Sequence, residues 1–375
     1  MDCICLTKIE VIIKNGRLNK DNIVCHKLIK QELISCSHDP RDEKMIDILL
    51  VGACHAYNLF IEKYPKIHAS IFVKLSCFIK RYYGADGTTA TISYIQIEIQ
   101  YIQGNNRFTE SYYVDITDEF SNCVFDTLCD IKNSIQIEKS SFKPQYLNGE
   151  IIFCNKAAAI LTHEFSHLFE ADIYLYSRNY LKKLNPYIVL TDLFQHQALP
   201  KICLDIDDEF SPNRDVCIIE RGVIKNIMAD QKWSQILNTG LYGNARMTFL
   251  DNSPVLARMR ISYMKYQIKC SIDEMLSEKN DYLLIENIKS GKLITKDGIV
   301  IFQIENAQYY HSGEVVHLEP FTIHCPIIDL INNITCVTDN NYHRTYPCGK
   351  SGYQVPCGVI TPSGILTKGD KVYAL

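Results

Sequence analysis

Between residues 95 and 101 the chain alternates strictly. Ile95, Ile97, Ile99 and Tyr101 are apolar while Gln96, Glu98 and Gln100 are polar, which predicts a strand with one buried and one solvated face. Gly104-Asn105-Asn106 turns the chain, and residues 107–114 read as the returning strand. Upstream the period is helical. Asp39 is placed to cap, and Pro40 to open, a helix whose apolar face is Ile46, Leu49, Leu50, Ala53, Tyr57 and Phe60, closed by Pro65. Residues 1–38 carry weaker signals, a short strand from Ile9 to Ile13 and a turn at Asn15-Gly16, and Gly84-Ala85-Asp86-Gly87 marks another turn. Residues 117–132 fit a second helix.

Glu150–Phe153 is expected to be a short buried strand, after which Asn155 caps a helix reaching about Leu175. From about residue 200 the pattern is mostly β. Val216–Ile219 and Val223–Ile227 flank Glu220-Arg221-Gly222, a hairpin signal, and Tyr282–Glu286, Ile299–Ile304 and Gly313–Leu318 continue the strands. Pro347, Gly349, Gly352, Pro356, Gly358, Pro362 and Gly364 predict a loop-rich C-terminal region.

Composition narrows the class. The chain has 375 residues, 47% apolar and 22% charged, enough for a large domain or two with a real core. Net charge is −4, and basic residues come at most in scattered pairs such as Lys182-Lys183, so no nucleic-acid partner is expected. The first ten residues lack an apolar run behind a basic segment, and no apolar stretch reaches the roughly 18 residues of a membrane span. No secretory signal and no membrane association are expected, and a cytoplasmic location is. Sixteen cysteines without a Cys-x-x-Cys pair argue for small buried hydrophobes in a reducing compartment, not for a disulfide scaffold or a zinc ribbon.

The chemistry concentrates in His163-Glu164-Phe165-Ser166-His167. Side chains four apart on a helix lie one above the other, so His163 and His167 can share one zinc ion. Glu164 can then serve as the general base towards the water the metal activates. Apolar residues on both sides, Ala157 to Leu161 before and Leu168-Phe169 after, put this segment on a buried helix. A third ligand is needed. Glu170, seven residues past His163, is on the same helical face and is better suited to orienting a histidine than to ligation; Asp172 is a weaker candidate, and position 173, where a third histidine would fall, is Ile.

Leu161 to Asp172 resembles the metal-binding helix of the TldD/PmbA family of peptidases. The likeness continues in order through Asp207-Asp208-Glu209, the Val216–Lys225 segment, Gly243-Asn244-Ala245-Arg246, Arg258 to Met264, and Cys348-Gly349-Lys350-Ser351-Gly352-Tyr353-Gln354-Val355-Pro356. It spans residues 145–362 and weakens back to about residue 88. This resemblance implies an α+β fold in two domains: an α/β N-terminal domain, residues 1–190, carrying the metal helix, and a mostly β domain, residues 191–375, that supplies a cysteine ligand. It implies Cys348 as that ligand and Zn2+ as the cofactor, with Arg258 and Tyr263 as candidates to bind the substrate backbone or to stabilise the oxyanion. It also implies a dimer, either of identical chains or with a PmbA-like paralogue, in which this chain resembles the active subunit. One departure stands out. The family's second histidine follows the first by five positions; here the interval is four and Ser166 replaces the usual glycine.

The expected activity is a zinc-dependent peptidase that hydrolyses peptide bonds in short or unfolded peptides, with trimming of a precursor peptide as one such use. The alternative is a metal- and peptide-binding subunit of a protease dimer with little activity of its own. A nucleic-acid-associated regulator, suggested by the family's older gyrase-modulator label, is opposed by the scattered charge.

Overall fold

In the computed structural model of the chain, residues 3–14, 17–18, 24–30, 40–84, 87–104, 106–115, 120–135, 149–248, 254–277, 281–311, 313–369 and 372–374 are described. The Asn15-Gly16 turn, the cap at Asp39, Ala85-Asp86, Asn105 and residues 117–119 of the expected second helix lie outside these.

Strands Cys3–Lys14, Arg17–Leu18, Val24–Lys30, Ser70–Tyr83, Thr89–Gln103 and Asn106–Val114 form one antiparallel sheet. Helices Pro40–Lys63 and Phe120–Ile135 cover one face of it. Ala53, Ala56, Phe60, Val124 and Leu128 pack there on Val73, Leu75, Ile95, Ile97 and Ile99, so the alternating residues do face a helical layer. Part of the other face is covered as well: Phe78, Tyr82, Tyr94 and Tyr113 meet Leu204 and Met247. For that reason burial in Ser70–Tyr83 passes from alternation to an unbroken run between Leu75 and Lys80. Lys80, buried in that run, pairs with Asp208 at 2.8 Å.

Two further sheets hold the metal helix, Lys156–His167, between them. In one, Glu150–Cys154 lies parallel to Asp281–Ile294 and antiparallel to Gly364–Lys368, and the sheet continues through Ile299–His311 and Phe321–Pro326. In the other, Ile188–Leu193 and Ile261–Tyr266 lead to the hairpin Asn341–Lys350/Tyr353–Pro362. The helix is buried from Ala157 to His167. Its apolar residues, Ala157 to Leu161 and Phe165, sit in the core, and its polar ones, His163, Glu164 and His167, line a cleft.

The expected boundary at residue 190 falls inside the strand Ile188–Leu193. It would also separate Glu150–Cys154 from both of its sheet partners. The strand and the helix it feeds therefore belong with the sheets formed by the residues that follow.

The C-terminal region is more regular than its glycines and prolines suggest. Asn341–Lys350 and Tyr353–Pro362 pair along ten positions. Ser351 and Gly352 turn the chain with φ of 53° and 82°, the two positive values of a type I′ turn. Pro347 stands opposite Pro356; counted from the turn, this is a non-hydrogen-bonded pair, where two missing N–H groups cost the hairpin nothing. Among the described residues no helix is long and apolar enough to cross a membrane.

Candidate metal centre

The helix carrying His163 and His167 is regular, and the two imidazole rings sit 4.8 Å apart between centroids, edge to face. It does not run to Leu175. The N–H groups of Leu168, Phe169 and Glu170 bond three residues back, to Phe165, Ser166 and His167. The chain then extends at Glu170 (φ −74°, ψ 129°) before a short helix, Ala171–Ser177. Met228 pulls it out of the helix: its N–H donates to the Phe169 carbonyl at 2.9 Å, and its carbonyl accepts from Ala171 at 2.8 Å. At the other end Asn155 makes no side-chain cap and takes a positive φ of 45°.

This break aims Glu170 back at the centre. Its Oε2 lies 3.1 Å from His167 Nδ1. Its Oε1 accepts the Met259 N–H at 3.0 Å, and Lys350 Nζ donates to Oε2 at 2.9 Å. Lys350 also bonds Asp172 at 2.6 Å. Burial alone would raise the Glu170 carboxyl, but Lys350, His167 and Arg258 outweigh it and bring the pKa down to about 2.

Cys348 arrives from the hairpin on the opposite side. Its Sγ is 3.6 Å from His167 Nε2. One metal-ligating atom each from His163, His167 and Cys348 come within 4.8 Å of one another, and all three residues are buried. A tetrahedral zinc with the usual bond lengths to sulfur and imidazole separates those two ligand atoms by about 3.6 Å. The donor set and this spacing therefore fit zinc. Burial would raise the Cys348 thiol, yet a hydrogen bond from Cys357, the Arg258 guanidinium and the two histidines hold it well below the ordinary thiol range.

Glu164 opens with His163 and His167 onto a cleft of about 1050 Å³. The opposite wall includes Gly291, where a Cβ would stand 2.7 Å from Glu164 Cγ and 2.8 Å from its Oε1. The missing side chain at Gly291 makes the room that Glu164 occupies. At the end where the N-terminal sheet meets the cleft, Glu110 forms ion pairs with Lys156 and with Arg344, the latter at 2.6 Å.

The remaining expected residues fall differently. Arg258 is fully buried. Its Nη2 donates to Cys348 Sγ at 3.0 Å, so it stands behind Cys348 and is not among the residues that line the cleft. Tyr263 does not reach the cleft. In its strand Ser262 and Met264 turn towards the metal helix, with Thr162 bonding the Met264 sulfur. Tyr263, on the alternate face, packs near His196 and beneath Lys265. Lys350, Glu110, Gly291 and Cys357 were not singled out in the sequence. Lys350 at least lies in the Cys-Gly-Lys segment, whereas the others carry no local signal.

The sequence pattern of the PmbA/TldA metallopeptidase C-terminal domain matches residues 148–369, more than half of the chain. The chain belongs to the TldD/PmbA family. Among curated relatives it is 25% identical to a zinc metalloprotease TldD homologue of Saccharolobus solfataricus, covering 74% of this chain and 65% of that one. It is also 25% identical to a metalloprotease of Methanocaldococcus jannaschii, covering 56% and 47%. The chain thus spans between about half and two thirds of the length of these relatives. Among solved structures its fold is similar to that of TldE from Thermococcus kodakarensis, with a TM-score of 0.66 at 15% identity over 99% of this chain and 96% of that one. A Thermotoga maritima protein solved as a candidate modulator of a DNA gyrase gives 0.63 at 15% identity over 100% and 95%. Within the family's metallopeptidase domain, the His163, His167 and Cys348 cluster is where a metal ion would be held.

Proposed function

We propose that this protein is a zinc-dependent peptidase acting on short or unfolded peptides, with His163, His167 and Cys348 as ligands and Glu164 as the general base. The observation that carries this reading is the convergence of three buried ligand atoms from two distant segments beside a carboxylate that opens on a cleft. A bound zinc ion would polarise the scissile carbonyl and make the attacking water more acidic. Glu164 accepts the proton of that water and passes it to the leaving amine. Glu170 fixes the orientation of His167, and Arg258 keeps Cys348 in its thiolate form.

The cleft supports an extended peptide as substrate. Asp281–Ile294 pairs with Glu150–Cys154 only up to Ile285. Beyond it, Lys289 to Leu293 line the cleft, and among the described residues no strand pairs with this stretch on the metal-helix side. A peptide laid there can use backbone hydrogen bonds independent of its sequence.

A second reading, a dimer subunit that depends on a paralogue for turnover, is supported by Tyr176 and Ile236. They are 64% and 56% exposed on the short helices Ala171–Ser177 and Gln231–Leu237, from which Tyr176 and Trp233 line the cleft. Elemental analysis of the purified chain, followed by digestion of an unfolded-peptide mixture with and without a PmbA-like partner, separates the two. Cleavage by the chain alone favours the first. Zinc binding with cleavage only in the mixture favours the second, and absence of zinc sinks both.

A further inference from the structure

Cys357 is buried against the centre, yet the ligand and base roles assigned above leave it without a part. In the hairpin, Tyr346 is registered opposite Cys357 and Cys348 opposite Val355, so the two cysteines are diagonal neighbours on one face. The Cys357 sulfur lies 3.4 Å from His163 Nδ1 and 3.4 Å from the Tyr346 carbonyl oxygen. Its thiol donates to that carbonyl. It is not one of the residues whose ligand atoms cluster within 4.8 Å.

A neutral imidazole has one N–H and one lone pair, and a metal needs the lone pair. For His167 the choice is fixed by Glu170, whose carboxylate can only accept. Nδ1 therefore carries the hydrogen, and Nε2 faces Cys348. His163 has sulfur in the equivalent place. The Cys357 S–H has its acceptor in the Tyr346 carbonyl, which leaves the sulfur lone pairs for a donor. Sulfur is a weak acceptor, so His163 is held by a neutral and softer contact than His167.

We propose that Cys357 is a positioning residue for His163: its sulfur accepts the Nδ1 hydrogen, and this frees Nε2 as the metal-ligating atom. The inference rests on His163 being a ligand, and the test distinguishes failure of either idea. Cobalt(II) is titrated into the full chain, its affinity measured by competition with a chelator and its sulfur-to-cobalt absorption recorded per bound ion.

Cys357→Val, which fills the space without accepting, is expected to weaken binding about 10–100-fold while leaving the thiolate absorption per ion unchanged. Cys357→Ser, which restores an acceptor, should recover most of the loss. Nitrogen NMR of the metal-free parent should show His163 as the Nδ1–H tautomer, a readout that survives even if the valine variant fails to fold. Parental affinity in Cys357→Val, equal losses in the valine and serine variants, or an Nε2–H tautomer would each overturn the proposal. A drop in thiolate absorption in Cys357→Val would make Cys357 a ligand instead. If the parent binds no cobalt, or His163→Ala binds it as well as the parent, the underlying metal assignment is what has failed.

Discussion

Glu170 meets His167 at Nδ1, 3.1 Å away, while Nε2 of the same ring faces the Cys348 sulfur at 3.6 Å. One imidazole therefore links a carboxylate from the broken helix to a thiol from the hairpin. Cys348→Ser replaces a thiolate with a neutral hydroxyl and is expected to weaken zinc binding sharply. Glu170→Gln keeps a group beside His167 but removes the charge, and should weaken zinc about 10–100-fold. Zinc titration of both variants decides the ligand set. If Cys348→Ser holds zinc like the parent and Glu170→Gln loses it, the centre belongs to one helix and its flank.

His163→Ala and His167→Ala should each abolish stoichiometric zinc, because the two ligands left behind hold the ion poorly. Elemental analysis after dialysis reads this directly. Full occupancy in both variants would refute the assignment.

The buried Glu170 gives acid sensitivity a defined source. Its folded pKa of about 2 lies below the usual carboxylate value near 4.3. The depressed value means that its ionised form contributes stability fully above about pH 4.3, and that this contribution is lost as pH falls towards 2. The parent should therefore lose stability across that window more steeply than Glu170→Gln, by on the order of 3 kcal/mol in the metal-free protein. Denaturant unfolding from pH 5 to pH 2 compares the two; parallel curves would remove Glu170 from the account.

Glu164→Gln preserves shape and removes the basic oxygen. It should keep zinc and fold but lose about 10²–10⁴-fold in peptide hydrolysis. Parental turnover in that variant would reduce Glu164 to a buried helix residue.

Much of this centre was legible because its signals are local. The alternation at Ile95 to Tyr101 and the four-residue step from His163 to His167 are set by neighbours in sequence, and both appear in the fold as periodicity requires. The helix break at Leu168 to Glu170 was not legible. Its cause is Met228, which takes over backbone hydrogen bonds from a distant segment. Pro347 and Pro356 read as loop residues one at a time and become compatible with strands only when registered against each other. The motif of Tyr263 does not state which face of the strand turns towards the metal helix, and the structure puts Tyr263 on the face near His196. Cys357 could not be told from the other cysteines until the hairpin register set it beside His163.

Gly291 tests whether the aim of Glu164 is built by the wall it faces. The residue has no positive φ, so alanine suits its backbone, but the added Cβ would stand 2.7 Å from Glu164 Cγ and 2.8 Å from Oε1. Real Cβ contacts of that length do not persist, so the carboxylate must swing away or the strand must retreat. The three atoms nearest to that Cβ all belong to Glu164. Gly291→Ala is therefore expected to retain zinc while kcat falls about 100-fold, the scale of loss for a catalytic group displaced by about 1 Å. Gly149→Ala, where the nearest atom is 4.0 Å away, serves as the control. Loss of zinc together with activity in Gly291→Ala would mean that the wall supports the whole helix. Full activity would mean that Glu164 has room to spare and that its aim is set elsewhere.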